Sequence, residues 1–184
     1  MNSDLRFERW LKVSIGLMRF EPFLMSLVQN LGEMDANLCE IDFDLVQKYK
    51  NGGDANNDYD LIQRHLTHSY LWILGAYEVV RTLTQFLKEQ RSDDPIVVLH
   101  RFQAVRTRFA RLRIPLAKLE PARDHKKTDF QIAYPGFDYD VGIAWKVNED
   151  MVISRKELSD LFLDALEFMR TLKINRSVGS ISEA

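Results

Sequence analysis

Cysteine is nearly absent: Cys39 is the only one in 184 residues. That excludes an internal disulfide framework and a cysteine-rich zinc site, and it suits a reducing compartment. Glycine and proline are also scarce, at eight and five, which excludes fibrous and low-complexity chains. The most apolar stretch, Leu71 to Val80, contains Glu78 and falls far short of the roughly 20 residues of a membrane-spanning helix. The first residues, Met1 to Arg9, carry charge throughout and lack the apolar centre of a secretory signal. A cytoplasmic protein with no membrane partner is the expectation. Histidine is limited to His65, His68, His100 and His125. His65 and His68 share a helix face but lack a third ligand, and no zincin-type pair with an intervening glutamate exists, so no metal is expected. A nucleophile elbow, a phosphate loop and a dinucleotide fingerprint are all missing, and no cofactor is expected. Cys39 lies between Leu38 and Glu40, and an anionic neighbour raises a thiol's pKa, so it reads as an inert buried thiol.

What is present is an ordinary globular composition, 46% hydrophobic and 28% charged, with a formal net charge of −2. The charge is unevenly placed. Between Arg101 and Lys127 nine bases face only two acids, Glu120 and Asp124, for a local charge of +7. Between Gly32 and Asp60 eight acids face two bases, Lys48 and Lys50, for −6. Either the two blocks neutralise each other in the fold, or the basic block is an anion-binding face.

Hydrophobic spacing defines a mainly α protein. Trp10, Val13, Leu17, Phe20, Leu24, Leu27 and Leu31 recur at three and four, one helical stripe. Pro22 either kinks that helix or opens a second one, and Gly32 reads as a stop. From Glu33 to Lys50 the signal is mixed. Ile41, Phe43 and Leu45 alternate like a strand, while the flanks read as helix, and helix from Asp42 onward is the reading adopted. Asn51 to Asp58 is a loop. A long helix follows from about Asp58 to Gln90, apolar on every side from Leu71 to Tyr77 and therefore expected at the centre of a bundle. Residues Ser92 to Pro95 supply an acidic cap and a first-turn proline for the next helix, which runs to about Lys118 with a kink or break expected near Arg111 because of Pro115. Alternation in Phe130-Ile132-Tyr134 and Ile143-Trp145-Val147 predicts a small antiparallel β-hairpin at about 129–153. Its aromatics, Phe130, Tyr134, Phe137, Tyr139 and Trp145, read mainly as packing, with a base-stacking surface as the alternative. Ser154 and Glu157 form a capping box for the last helix, and residues 174–184 read as a flexible tail. The architecture is thus a single-domain helical bundle of four to five helices over residues 1–173, with the hairpin inserted before the last helix.

One residue breaks its local pattern. Glu78 sits inside the apolar stretch of the central helix, and a buried carboxylate must be paired or protonated. Arg81 lies one turn on, and Arg106, Arg113 and Glu120 are spaced by sevens along the next helix. A buried network of Glu78, Arg81 and Arg113, with Glu120 or Lys118, follows. It either fixes helix register or forms a small polar pocket for an anionic ligand.

The run Gly75-Ala76-Tyr77-Glu78-Val79-Val80-Arg81-Thr82-Leu83, then Arg113-Ile114-Pro115-Leu116-Ala117-Lys118, then a hairpin and a capped helix, resembles uncharacterised bacterial bundle proteins over roughly residues 58–170. Their organisation is similar to that of the HEPN superfamily of helical domains. The resemblance implies a metal-independent ribonuclease or an inactive relative, commonly dimeric. Active members carry an arginine followed after four to six residues by a histidine, and no histidine here has an arginine at that distance. The resemblance therefore transfers no catalytic residue. The leading reading is a non-catalytic binding or interaction protein, with a homodimer, a protein partner or RNA as partners. One alternative is an RNA-binding protein or ribonuclease that uses Arg106, Arg108, Arg113 and Lys118 of the basic segment. Another is a sensor of small anionic ligands with its pocket at Glu78, Arg81 and Arg113.

Overall fold

Helix α1, Ser3–Ser14, turns Arg6, Trp10 and Val13 inward and passes into a 3₁₀ segment over Ile15–Arg19. The structure, a computed structural model, describes residues 3–53, 58–89 and 96–179, with the side chains of 173–179 excepted. Helix α2, Pro22–Lys50, starts afresh at the proline, whose fixed φ and missing N–H suit a first-turn position. The Glu21 side chain caps it by accepting the Phe23 N–H at 3.3 Å.

One expectation fails within α2: the helix does not stop at Gly32. The helix expected from Asp42 onward is present, and the strand-like alternation of Ile41, Phe43 and Leu45 lies inside it. Gly32 is mid-helix because a Cβ there would overlap the Trp10 side chain. Its role is close approach of α1 to the α2 backbone, which only glycine permits. The apparent alternation also dissolves, since Leu45 is buried while Phe43 is 44% exposed.

Helix α3, Tyr59–Glu89, and helix α4, Ile96–Lys118, pack side by side in antiparallel fashion. The expected loop before α3 is described only in part, and the cap expected at 92–95 lies outside the described residues. The expected break near Arg111 is absent. Pro115 is buried in the last turn of a continuous α4, where one lost N–H interrupts little of the ladder, and the helix ends at Leu119 with φ 55°.

Three antiparallel strands follow in the order β1-β2-β3: Tyr134–Asp138, Gly142–Asn148 and Met151–Ser154. Tyr134 pairs with Lys146 and Asp138 with Gly142, while Ala144 pairs with Ser154. Phe130 and Ile132 precede the sheet rather than joining it. Ile143, Trp145 and Val147 of β2 are all buried, as their alternation predicts. Of the aromatics expected in the hairpin, Trp145 is buried, Phe130 and Phe137 are half-buried, and Tyr134 and Tyr139 are exposed; Phe137 and Tyr139 meet the Tyr49 ring edge-on at 5.3 and 5.8 Å.

Helix α5, Arg155–Gly179, begins on Ser154, whose hydroxyl accepts the Glu157 N–H at 3.0 Å. The Glu157 carboxylate does not return to the cap; it binds Arg108 instead. Of the tail expected at 174–184, the part to Gly179 continues the helix, and 180–184 lie outside the described residues. One core joins the five helices and the sheet, with Trp10 and Phe109 both edge-on to Phe162 and Trp72 tilted against Phe109. The chain is mainly α, with five α-helices among the described residues and a small sheet before the last of them.

Gly32→Ala separates two opposing effects. Helix propensity alone favours alanine by about 1 kcal/mol, whereas overpacking against Trp10 costs about 1–3 kcal/mol. Urea unfolding should show net destabilisation; a gain in stability would mean that Trp10 does not lie on α2.

Candidate functional site

Because α3 and α4 run antiparallel, the last turns of α3 lie beside the first turns of α4. Their outer edges enclose a groove of about 620 Å³. Tyr77, Arg81, Lys88 and Glu89 line it from α3, and Gln103 and Arg106 from α4. Arg81 and Lys88 are i and i+7, so both project from one stripe of α3. Arg106 comes from the opposite wall.

Glu78 lies outside the groove lining but pairs with its Arg81, and its environment corrects an expectation. It is not buried: its side chain is 47% exposed. Leu71 is also exposed, and Leu74 and Tyr77 are only partly covered. Residues 71–80 therefore do not thread the interior on all sides. Trp72, Ile73, Ala76, Val79 and Val80 face the core, while Leu71, Glu78 and Gln85, each two turns apart, form an open stripe. The expected partners are nonetheless in place. Arg81 Nε donates to Glu78 at 2.7 Å and Arg113 at 3.4 Å, and the Arg113 guanidinium lies over the Tyr77 ring at 5.1 Å. Glu120 and Lys118 are exposed at the far end of α4 and do not join them.

The basic segment is not one continuous face. Arg111 grips Asp129 with two bonds of 2.7 and 2.8 Å. Arg108 binds Glu157 at 2.6 Å and reaches the Met151 sulfur. Arg101 covers the Phe168 ring, and Arg113 is held as above. Arg106 has no carboxylate partner among the described residues, and neither do Lys118, Arg123, Lys126 and Lys127 at the other end. The acidic block is used elsewhere. Asp35, Asp42 and Asp58 bind Arg6, Arg155, His65 and Lys48, and no ion pair among the described residues joins the two blocks.

A second cluster, not anticipated, lies in the interior. Arg155, at the start of α5 and fully buried, donates to Asp35 at 2.5 Å, to Asp42 at 2.8 Å and to the Cys39 sulfur at 3.1 Å. Asp35 also accepts from Arg6 Nε at 2.5 Å and Trp10 Nε1 at 2.9 Å. Asp42 shares its other oxygen with His65 Nε2 at 2.7 Å and the Ile143 backbone N–H at 2.9 Å. Gly142, at φ 82°, lets that strand approach: a Cβ there would strike the Asp42 side chain. Burial alone pushes the Asp35 carboxyl up, but the guanidiniums of Arg155 and Arg6 outweigh it and hold it below the usual carboxylate range. Burial likewise opposes ionisation of Asp42, and is outweighed by the His65 hydrogen bond and Arg155. The Cys39 thiol is pushed up, by burial first, which fits the inert thiol expected. His65 belongs to this cluster while His68 is exposed, so the two are not a pair facing one site.

No family model, curated protein or solved structure matches the chain.

The missed cluster did leave a signal. Leu31, Asp35, Leu38, Asp42, Leu45 and Tyr49 keep one helical stripe through α2, and all six are buried. A stop at Gly32 and a helix that resumes only at Asp42 divide that stripe, so its two aspartates do not stand out in the sequence.

Stability should depend on acid in one direction. Asp35 and Asp42 are held low in the folded state, so their contribution is complete above the ordinary carboxylate value of about 4 and is lost as pH falls below it. Urea midpoints should be nearly flat from about pH 7 to 5 and drop steeply by about pH 3. A midpoint that rises on acidification would contradict the ionised network.

Proposed function

We propose that this is a non-catalytic binding protein whose ligand is a small anion held in the groove between α3 and α4. The observation that carries this reading is the pairing state of the groove cations. Arg106 and Lys88 have no carboxylate partner among the described residues. Arg81 commits only its Nε to Glu78. With Glu89 as the one acid in the lining, the groove keeps a net charge of +2. Cations of like sign gathered in a concave site repel each other, and an anion relieves that repulsion. Glu78 acts as a positioning residue, since its two oxygens steer Arg81 and Arg113. The resemblance to HEPN-like bundles without their Arg–His motif supports the non-catalytic half of the reading.

A second reading has one observation in its favour. Lys118, Arg123, Lys126 and Lys127 cluster in sequence after the body of α4, are all exposed, and lack carboxylate partners among the described residues. That end suits a polyanion such as RNA. Two of the four arginines and lysines first assigned to such a face, Arg108 and Arg113, are occupied by Glu157 and Glu78.

A thermal-shift screen of phosphates, phosphorylated metabolites and polycarboxylates at low salt tests the first reading. A ligand that binds only the folded state raises the midpoint. At least one anion should do so in the wild type and fail with Arg106→Gln. If no anion moves the midpoint at low salt, the reading is wrong.

A further inference from the structure

We propose that the groove recognises a chain of phosphates, a di- or triphosphate group, with little regard to what the chain is attached to. This rests on the anion-binding reading above and specifies its ligand. Arg81 and Lys88 are two helical turns apart, about 10 Å along α3, and Arg106 stands on the facing wall. A single phosphate or carboxylate reaches one guanidinium fork, or one fork and one neighbour. It leaves the remaining cation unmatched. A phosphate chain distributes its charge along the groove and lets one ligand meet all three cations at once. The neutral lining suits the same ligand: Gln85 and Gln103 on opposite walls offer amide donors between the charges.

The groove offers little that would read an attached base or sugar. Its one aromatic residue is Tyr77. The Arg113 guanidinium already lies against one face of that ring, so the ring is not open for stacking on both sides. The volume of about 620 Å³ is in the range of small-molecule sites.

Isothermal titration at low salt with inorganic phosphate, pyrophosphate and tripolyphosphate, and with AMP, ATP and GTP, is the test. Each added charge-assisted contact is expected to strengthen binding by at least about tenfold. Tripolyphosphate should therefore bind at least about tenfold more tightly than phosphate, and ATP than AMP by a similar factor, while ATP and GTP stay within about threefold. Arg106→Gln and Lys88→Gln should flatten this ladder, and neither exposed side chain is needed for folding. Lys126→Gln/Lys127→Gln, away from the groove, should leave it intact. Equal affinity for phosphate and tripolyphosphate, both lost in Arg106→Gln, would overturn the phosphate chain and leave the anion site. Loss of the ladder in Lys126→Gln/Lys127→Gln would overturn it as unspecific charge attraction. Groove-dependent binding of a single-stranded RNA oligomer with no tripolyphosphate binding would assign the groove to a polymer instead. Absence of any groove-dependent anion binding would remove both readings together.

Discussion

The Arg155 guanidinium, enclosed between Asp35 and Asp42, is the point at which separate parts of the chain meet. Through those two carboxylates it connects α1 by Arg6 and Trp10, α3 by His65, and β2 by the Ile143 amide. Removing such charges from water is expensive, several kcal/mol for each ion, and the attraction between them compensates only when nearly every polar atom finds a partner. Two guanidiniums and two carboxylates meet here, and both carboxylates are saturated with donors, although Arg155 Nε and His65 Nδ1 are left without a partner among the described residues. The arrangement is therefore selective rather than merely adhesive. An alternative register of α1, β2 or α5 would leave one of these ions buried and unmatched, which costs about 3–5 kcal/mol. Gly32 and Gly142 belong to the same constraint, because each admits a close approach that brings a donor to an aspartate.

The interior network also accounts for the charge left outside. Asp35 and Asp42 are spent on Arg6 and Arg155, so two carboxylates of the acidic block are not available to the basic segment. Arg108 and Arg111 in turn anchor α5 and the approach to the sheet through Glu157 and Asp129. What remains on the α3–α4 surface is an excess of positive charge around Arg81, Lys88 and Arg106, in a groove whose walls are held by the packing beneath. The inner stripe of α3 is fixed by the core, which leaves its outer stripe, Leu71 to Lys88, free to present polar groups.

Elements with an unbroken period were readable from the residues: α3, α4, the opening of α5 at Ser154 and the sheet through Ile143, Trp145 and Val147. Glycine and proline misled where their role was tertiary. Gly32 looked like a local stop, but its reason lies in Trp10, and Pro115 looked like a break although it sits where little ladder remains. The candidate site was half legible. The triad of Glu78, Arg81 and Arg113 does assemble, since i,i+3 proximity and antiparallel packing dictate it. Its burial did not follow, because a helix with two apolar faces reads like one with three when Leu71 lies in the same run. Lys88 was missed, as a lysine near a helix end carries no signal until the neighbouring wall is known. The buried aspartates were hidden by residue type: a strict stripe count places them in the core, and ordinary expectation places acids in water.

The claim that most of the structure rests on Arg155 and its carboxylates is best tested by a double-mutant cycle. Equilibrium unfolding of Asp42→Asn, Arg155→Met and the double variant gives the coupling between the two positions directly. A coupling above about 1 kcal/mol is expected for two groups bonded directly within one buried network. Effects that add to within about 0.3 kcal/mol would show that the two side chains act independently, and would contradict the account.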